Sequence, residues 1–265
     1  MGRAANLRHL IRRFGIIRSL LVAFYIFPFL LGERLTNGRL LKLPLLFPFH
    51  CKDHGYKFWA RVGEFHYFLE EYEPLSVHAA DGLISGGVAV DVGAYIGIHT
   101  IHFAKKARLV ISIEPHPYHL KILLRNIKTN RLDNVIVVPA AASNQIGTAM
   151  LNRSGPCWTL QASQWYGPAP ERWRQDSIGV ATLTLETIFR KFGIKEVDLL
   201  KIDVEGAESL VLEGLGEYLK PEKVKALIVE IDPRNEEKVM KLCKDYKHTI
   251  KLEEYPLNTN YLLLP

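Results

Sequence analysis

The chain has 265 residues, of which 48% are hydrophobic and 23% charged, so its composition is that of a globular protein rather than a disordered or fibrous one. The net charge of +6 comes from the first 61 residues, which hold eleven Lys and Arg against two acidic residues. The remaining residues carry three net negative charges, which argues against a broad nucleic-acid surface there. Three well-separated cysteines indicate neither a disulfide framework nor a zinc site, and they favour a reducing compartment.

An apolar run with basic residues before it occupies residues 16–31. The run contains Arg18 and is interrupted by Pro28, and it is shorter than the roughly 20 apolar residues that a spanning helix needs. Three interpretations stay open: a helix packed on the main domain, an interfacial anchor with its arginines on anionic headgroups, and a spanning or secreted segment. We treat residues 1–60 as a basic, hydrophobic extension. We expect the protein to be cytoplasmic. Residues 1–35 are the part of this extension that would make peripheral contact with the inner face of the membrane.

From residue 88 onward the sequence repeats a pattern of strand, turn and helix. Apolar runs and helical periodicity predict these elements. The predicted strands are 88–92, 109–113, 135–138, 148–151, 178–183, 197–202, 224–231, 248–255 and 260–264, and the predicted helices are 96–105, 118–129, 185–192, 207–218 and 236–246. Alternating strands and helices predict an α/β fold whose parallel sheet has helices on both faces. The two adjacent closing strands predict an antiparallel hairpin at one edge, and therefore a mixed sheet. The proline-rich residues 43–49 are expected to be irregular or extended.

Small residues follow the strand predicted at 88–92, at the edge where open α/β sheets bind ligands. Gly93 lets the chain turn sharply after Asp91 and Val92, and Ala94 is small enough for the backbone to approach a ligand. Gly97 would permit close packing of the helix start against the strand. This pattern is loose and also fits an ordinary strand-to-helix turn.

Acidic residues follow two further predicted strands. Glu114, 23 residues after Asp91, is placed to accept both ribose hydroxyls, as in sites for NAD and for S-adenosylmethionine (SAM). Lys201 begins a run of four ionisable groups in eight residues. Strand alternation puts Lys201 and Asp203 on one side, with Glu205 just beyond. The alternative for this run is a surface loop with charges that suit a helix dipole.

Three segments, two asparagines and one short stretch together resemble the FkbM family of SAM-dependent methyltransferases. In chain order these are VDVGAYIGIHT (90–100), IEPHP (113–117), Asn126, Asn130, residues 139–143 and DLLKIDVEGAE (198–208). The resemblance runs over residues 75–232. It implies a Rossmann-like class I methyltransferase fold with a mixed seven-stranded sheet, which we place at 61–265. It also implies methyl transfer from SAM, usually to a hydroxyl of a sugar, polyketide or other small acceptor.

The same resemblance implies a set of cofactor-binding residues. These are Asp91, Gly93, Ala94, Tyr95, Gly97, Thr100, Glu114, Pro115, His116 and Ala141. Within this set Glu114 would hold the ribose, and His116 and Ala141 would border the adenine. Tyr95 stands where the family often has asparagine.

Methyl transfer from a sulfonium is an in-line displacement, so the enzyme must align its reactants and provide a base for a hydroxyl acceptor. We assign Asp203 as the base or acceptor-orienting group, with Glu205 assisting and Lys201 holding the local electrostatics. Carboxylates at neighbouring strand ends, including Glu230 and Asp232, are hard ligands that suit a divalent metal. We nevertheless predict a metal-free site.

A long insertion at 153–177 holds three of the four tryptophans. Loops of this length are usually functional or disordered, and aromatic faces suit sugar rings. We expect an acceptor-binding lid, and the alternative is a cover for the sheet edge. The predicted acceptor-binding residues are Trp158, Trp165, Tyr166 and Glu230.

Other functions compete with this interpretation. An NAD(P)-dependent oxidoreductase would share the first turn and Glu114, but the chain lacks a good GxGxxG pattern. An RNA methyltransferase could use the basic N-terminus, but the body is not basic and no Asn-Pro-Pro-Tyr-type motif follows the fourth strand. A non-enzymatic, membrane-associated binding module is a third possibility. The favoured partner is a small-molecule, glycan or glycolipid acceptor, and nucleic acid is disfavoured.

Overall fold

The structure is a computed structural model, and it divides into two compact units. The residues that it describes are 46–51, 55–61, 72–154, 157–160 and 177–265. The first unit comprises Met1–Tyr72 and Lys128–Arg131, and the second comprises Glu73–Ile127 and Leu132–Pro265.

The first unit contains an antiparallel hairpin of β1 (Leu46–Cys51) and β2 (Tyr56–Arg61). The Asn130 side chain accepts a hydrogen bond from the backbone N of Lys57 at 3.0 Å and donates one to its carbonyl at 2.7 Å. The indole N of Trp59 donates to Thr129 Oγ1 at 3.1 Å. The extended conformation expected for the proline-rich stretch is therefore seen from residue 46, but the hairpin was not predicted.

The second unit is built on a seven-stranded mixed sheet with the order β12-β13-β11-β10-β3-β4-β5. Its strands are β3 (Val88–Val92), β4 (Leu109–Ile113), β5 (Val135–Val138), β10 (Leu199–Ile202), β11 (Leu227–Ile231), β12 (His248–Glu254) and β13 (Thr259–Leu264). The five strands from β5 to β11 run parallel, and β13 and β12 form an antiparallel hairpin at the edge. The expected mixed seven-stranded sheet is confirmed. Every residue of β3 and β10 is buried, as expected of parallel strands covered on both faces.

The helices of the second unit pack around this sheet. They are α1 (Pro74–Leu83), α2 (Ile98–Ala104), α3 (Pro117–Thr129, whose last two residues belong to the first unit), α4 (Leu185–Lys191), α5 (Glu208–Glu213) and α6 (Glu236–Leu242). The first of these was not predicted. The continuous helix predicted at 207–218 is wrong, because a separate 3-10 turn at Gly216–Tyr218 follows α5. Gly214 caps α5 with a φ of −71°, and Gly216, whose φ of 54° is left-handed, begins the 3-10 turn, so the α-helical conformation does not continue through it.

Two of the predicted strands lie outside the main sheet. The segments predicted at 148–151 and 178–183 form β7 (Gly147–Ser154) and β9 (Ser177–Leu183), which pair antiparallel. Together with β6 (Ala141–Ala142) and β8 (Cys157–Thr159) they make a four-stranded sheet. Apolar periodicity identified these strands, but it carries no information on which sheet a strand joins.

Among the described glycines, Gly93 is the one at which the fold tolerates a substitution least. It has a φ of +82°, and a Cβ built there would lie 1.7 Å from the carbonyl oxygen of Asp203. That contact is with backbone, so no side-chain rotation relieves it. The turn after β3 therefore touches the chain leaving β10.

We expect Gly93→Ala to lower the free energy of unfolding by about 2 kcal/mol or more, since it combines a left-handed alanine with a backbone clash. Denaturant unfolding measures this. Gly82→Ala is the control, because that helical position has nothing within 4 Å of a new Cβ and should gain about 0.5–1 kcal/mol. Equal effects of the two substitutions would contradict the close approach at Gly93.

Candidate active site

Three neighbouring parallel strands deliver acidic residues to one edge of the sheet. Asp91 of β3 is paired in register with Lys201 of β10, and Lys201 is paired with Ile228 of β11. Asp203 follows β10 directly, and Glu230 lies near the end of β11. Because carboxyl ends of adjacent parallel strands meet at the same edge, these side chains converge where an open α/β sheet binds ligands.

Lys201 is the centre of this convergence. Its residue is 1% exposed, and its Nζ lies 2.8 Å from Asp203 Oδ2 and 3.5 Å from Glu73 Oε2. Burial alone would lower the pKa of Lys201, but the negative charges of its neighbours, led by Asp203 and Glu73, outweigh burial and raise it. Lys201 is therefore a buried ammonium ion, and the expectation that alternation puts Lys201 and Asp203 on one side is confirmed.

Asp91 of β3 is the strand partner of Lys201. Burial raises the pKa of its carboxyl group, while His99, Lys201 and a hydrogen bond from Thr100 act to lower it. The Thr100 hydroxyl donates to Asp91 Oδ2 at 2.5 Å and lies 2.9 Å from Ser112 Oγ. Thr100 is fully buried, so in this structure it positions Asp91 and does not offer the direct cofactor contact expected from the sequence.

Asp203 and Glu230 form a carboxyl pair. Burial raises the pKa of Glu230 well above its ordinary range, and the charge of Asp203 and a hydrogen bond with it raise that pKa further. Asp203 is ion-paired with Lys201 and its side chain is 17% exposed. The raised pKa favours the protonated form of Glu230, and the partly exposed Asp203 carboxylate is a hydrogen-bond acceptor that a ligand can reach.

The loop after Asp203 is held in a left-handed conformation by buried contacts. Glu205 and Gly206 have φ values of 56° and 102°. The backbone N of Gly206 donates to Glu208 Oε1 at 2.6 Å, and Asn235 Nδ2 donates to the carbonyl of Gly206 at 2.9 Å. Gly206 and Glu208 are buried, so the alternative of an exposed surface loop at 201–208 is wrong.

Glu114 lies at the end of β4, on the other side of β3 from this cluster. Its two carboxylate oxygens accept hydrogen bonds from the backbone N of Tyr95 at 2.9 Å and of His116 at 2.8 Å, and His119 Nδ1 is 3.3 Å away. A carboxylate has about four lone-pair sites, so these contacts orient Glu114 and leave capacity for a ligand. Aromatic rings pack beside this carboxylate. The ring centroid of His119 lies 4.4 Å from that of Tyr95 and 4.3 Å from that of His116.

The turn at 93–97 links this carboxylate to the helices. Gly93 and Ala94 both donate backbone hydrogen bonds to the carbonyl of Ile113, and the Asn126 side chain donates to the carbonyl of Ile96 at 2.8 Å. A Cβ at Gly97 would lie 2.5 Å from Leu123 Cδ1. Gly97 thus permits packing against α3, not against the strand as the sequence suggested.

The remaining predicted site residues are placed less centrally or lie outside the described residues. Pro115 is half-buried and Ala141 is buried in β6, paired with Thr182. Trp158 pairs through its backbone with Arg153 in the four-stranded sheet, and its side chain is outside the described part of the structure. Trp165 and Tyr166 also lie outside the described residues.

Metal binding finds no support in the described part of the chain. Over those residues no group of three or more His, Cys, Asp or Glu side chains is placed to hold an ion. Asp232 instead forms an ion pair with Arg234, and Asp203 pairs with Lys201. Two of the carboxylates considered as ligands are thus engaged with cations of the chain itself.

Two site residues were missed by the sequence reasoning. Glu73 and His99 are both buried, and their side chains meet at 3.0 Å between Glu73 Oε2 and His99 Nε2. His99 stood within the segment 90–100 that carries the resemblance and was not singled out. Glu73 lies in a short acidic stretch before Pro74, which has no recognisable signal.

Comparisons with known proteins match more than half of the chain to one family. Residues 91–255, more than half of the chain, match the family described as the methyltransferase FkbM domain. Methyltransferase sdnD of Sordaria araneosa is 27% identical over 162 residues, which are 51% of this chain and 62% of that protein. The match therefore spans less than two thirds of this curated relative.

Two solved structures are matched at low identity and low TM-score. A methyltransferase FkbM from Methylobacillus flagellatus is 17% identical, with a TM-score of 0.46 over 68% of this chain and 43% of that one. TYW2 of M. jannaschii, solved in complex with AdoMet, is 18% identical, with a TM-score of 0.44 over 82% of this chain and 84% of that one.

The strand order, with its antiparallel edge hairpin beside five parallel strands, is that of a class I methyltransferase sheet. The chain belongs to the FkbM methyltransferase family, whose domain it matches from residue 91 to 255. Membership of this family implies SAM as the cofactor. The NAD(P)-dependent oxidoreductase interpretation is thereby set aside.

Glu208 gives the site a pH-dependent stability that can be measured. Burial raises the pKa of Glu208 from 4.5 to about 7, so the folded state holds this proton more tightly than the unfolded chain does. The stabilisation is therefore fully present below pH 4.5 and is lost as the pH rises to about 7. Its size is about 3 kcal/mol at most.

We expect Glu208→Gln to remove this pH dependence. The unfolding free energy of the wild type minus that of the variant should fall from pH 5 to pH 8, because only the wild type loses stability as Glu208 ionises. Denaturant unfolding at each pH measures this. The same substitution at the exposed Glu237 controls for the loss of a carboxylate. A difference that grows with pH would show that Glu208 is ionised in the folded protein.

Proposed function

We propose that the protein transfers a methyl group from SAM to a hydroxyl oxygen of a small acceptor, such as a sugar or a glycolipid. The observation that carries this proposal is the Asp203 carboxylate, held 2.8 Å from the buried Lys201 ammonium at the ligand-binding edge of the sheet. Glu114 provides a second oriented carboxylate at the same edge. A nucleoside site and a proton-accepting site thus flank β3.

Residues on the Glu114 side would hold the cofactor. Glu114 accepts the ribose hydroxyls, the turn at 93–97 surrounds the methionine portion, and His116 borders the adenine together with Ala141. When bound, SAM supplies an electrophilic methyl group on a sulfonium. The fit rests on Glu114, because backbone donors fix its orientation while its remaining lone pairs suit a vicinal diol.

Residues on the Lys201 side would handle the acceptor. A hydroxyl has a high pKa, so its proton must be accepted as the new bond forms. Asp203 takes this role, Lys201 fixes the direction of its carboxylate, and Glu205 assists from the left-handed loop. Burial and the charge of Asp203 raise the pKa of Glu230, so its protonated form is favoured, and on acceptor binding its hydrogen bond would pass from Asp203 to a second oxygen of the acceptor. One acceptor and one donor side by side suit a polyhydroxylated compound such as a sugar.

Charge favours a small acceptor over RNA, since the chain beyond residue 61 has three net negative charges. The proposed acceptor lid at 153–177 and the membrane contact at 1–35 fall largely or wholly outside the described residues and remain predictions. None of the described helices is both long and apolar enough to cross a membrane.

Replacement of Asp203 tests the proposed base. We expect Asp203→Asn to lower methyl transfer by about 100-fold or more, with SAM affinity within about threefold of wild type. The assay follows label from SAM into fractionated cell extract, and mass spectrometry identifies the product. Asp133→Asn, at an exposed position, is the matched control. Turnover that survives within about threefold would refute the assignment.

Replacement of Glu114 tests the cofactor site separately. Glu114→Gln keeps one backbone contact but loses the charge that accepts the ribose hydroxyls, so the Kd for SAM should rise about 10- to 100-fold. Calorimetry with SAM on the full chain measures this, and Glu237→Gln serves again as the surface control. Unchanged affinity in a folded variant would place the ribose elsewhere.

A further inference from the structure

Glu73 is a buried carboxylate that no part of the proposed chemistry has used. It lies outside residues 91–255, the range that matches the family, and its residue is 3% exposed. We propose that Glu73 is a positioning residue for the Asp203 and Glu230 pair, acting through the Lys201 ammonium. This inference rests on the proposed function of that pair.

The geometry places Lys201 between two carboxylates. Its Nζ is 2.8 Å from Asp203 Oδ2 and 3.5 Å from Glu73 Oε2. The same Glu73 oxygen lies 3.0 Å from His99 Nε2. The two carboxylates together therefore fix the position of the ammonium. The orientation of the Asp203 carboxylate consequently depends on the position of Glu73.

The backbone of Glu73 has a left-handed conformation that contacts with other segments stabilise. Its φ of 46° and ψ of 61° are left-handed, which costs a non-glycine residue about 1 kcal/mol or more, and Pro74 follows it. Such conformations persist only where the surroundings fix them, and they cluster at functional sites. Glu73 stands at the N-cap of α1, so what fixes that helix end also fixes Glu73.

Glu253 of β12 fixes that helix end. Its Oε1 accepts hydrogen bonds from the backbone N of Leu75 at 2.7 Å and of Ser76 at 2.8 Å, and its Oε2 accepts from Ser76 Oγ at 2.6 Å. Asn260 Nδ2 donates to Oε2 at 3.2 Å. A carboxylate from the edge hairpin therefore satisfies the free N–H groups of α1 and holds the adjoining Glu73 in its strained conformation.

A purely structural role explains this arrangement poorly. Burying an ion pair costs several kcal/mol of desolvation per ion, and a well-packed apolar pair is often at least as stable. The charge of Glu73 does have an electrostatic consequence, because it is among the charges that raise the pKa of Glu230. The titratable and charged groups that face Glu230 are Asp203, Glu205, Glu73, Lys201 and Tyr255.

Removal of the Glu73 charge is therefore expected to lower the pKa of Glu230. The test is a carbon-13 NMR titration of side-chain carboxyl groups in the full chain, with the Glu230 resonance assigned by its loss in Glu230→Gln. In Glu73→Gln the titration midpoint of Glu230 should fall by about half a pH unit or more. Methyl transfer into cell extract should fall about tenfold, with SAM affinity within about threefold.

Two further variants complete the experiment. Glu254→Gln, at an exposed position on β12, should leave the Glu230 midpoint unchanged. Glu73→Asp keeps the charge but withdraws it by one methylene, so it should give a smaller shift in the same direction. An unchanged midpoint in both Glu73 variants would overturn the proposal, as would failure of both to fold. The titration requires no turnover, so an inactive wild type would refute the proposed function and not this inference.

Discussion

A buried positive charge sets the arrangement of the whole ligand-binding edge. Lys201 lies in the central strand pair of a parallel sheet and is 1% exposed. Removing an ammonium ion from water costs several kcal/mol unless anions replace the solvent. The chain supplies these anions from separate segments: Glu73 before α1, Asp91 in β3 and Asp203 after β10. The clustering of carboxylates at this edge of the sheet is thus a consequence of stabilising one lysine.

More carboxyl groups surround Lys201 than one ammonium ion can neutralise. Burial is the largest cause of the raised pKa values of Asp91 and Glu230, and repulsion from neighbouring carboxylates adds to it, while attraction to those carboxylates raises the pKa of Lys201. A cluster of this kind places a carboxyl group of raised pKa beside a carboxylate, an arrangement that suits the proposed transfer to a hydroxyl. The contact of Gly93 with the Asp203 carbonyl couples the cofactor turn to the same loop, so the two halves of the site are built as one.

Much of this arrangement was readable from local sequence patterns. Short apolar runs predicted β3, β4 and β5 to the residue, and simple strand alternation placed Lys201 and Asp203 on one side. Glu73 escaped prediction because its role depends on a helix end that is held by a distant strand. The separate sheet containing β7 and β9 escaped for a similar reason, since periodicity defines a strand but not its neighbours. Thr100 was assigned to the cofactor because it lies within a recognised segment, while its hydroxyl points to Asp91.

We propose that the nucleoside lies against Glu114 and the reacting methyl group against the Lys201 and Asp203 pair. A crystal structure of the full chain with S-adenosylhomocysteine, the demethylated product of SAM, tests this placement most directly. We predict both ribose hydroxyls within hydrogen-bonding distance of the Glu114 carboxylate, and the thioether sulfur on the side of β3 that faces Asp203. A ribose bound away from Glu114, or a sulfur directed away from Asp203, would contradict the account.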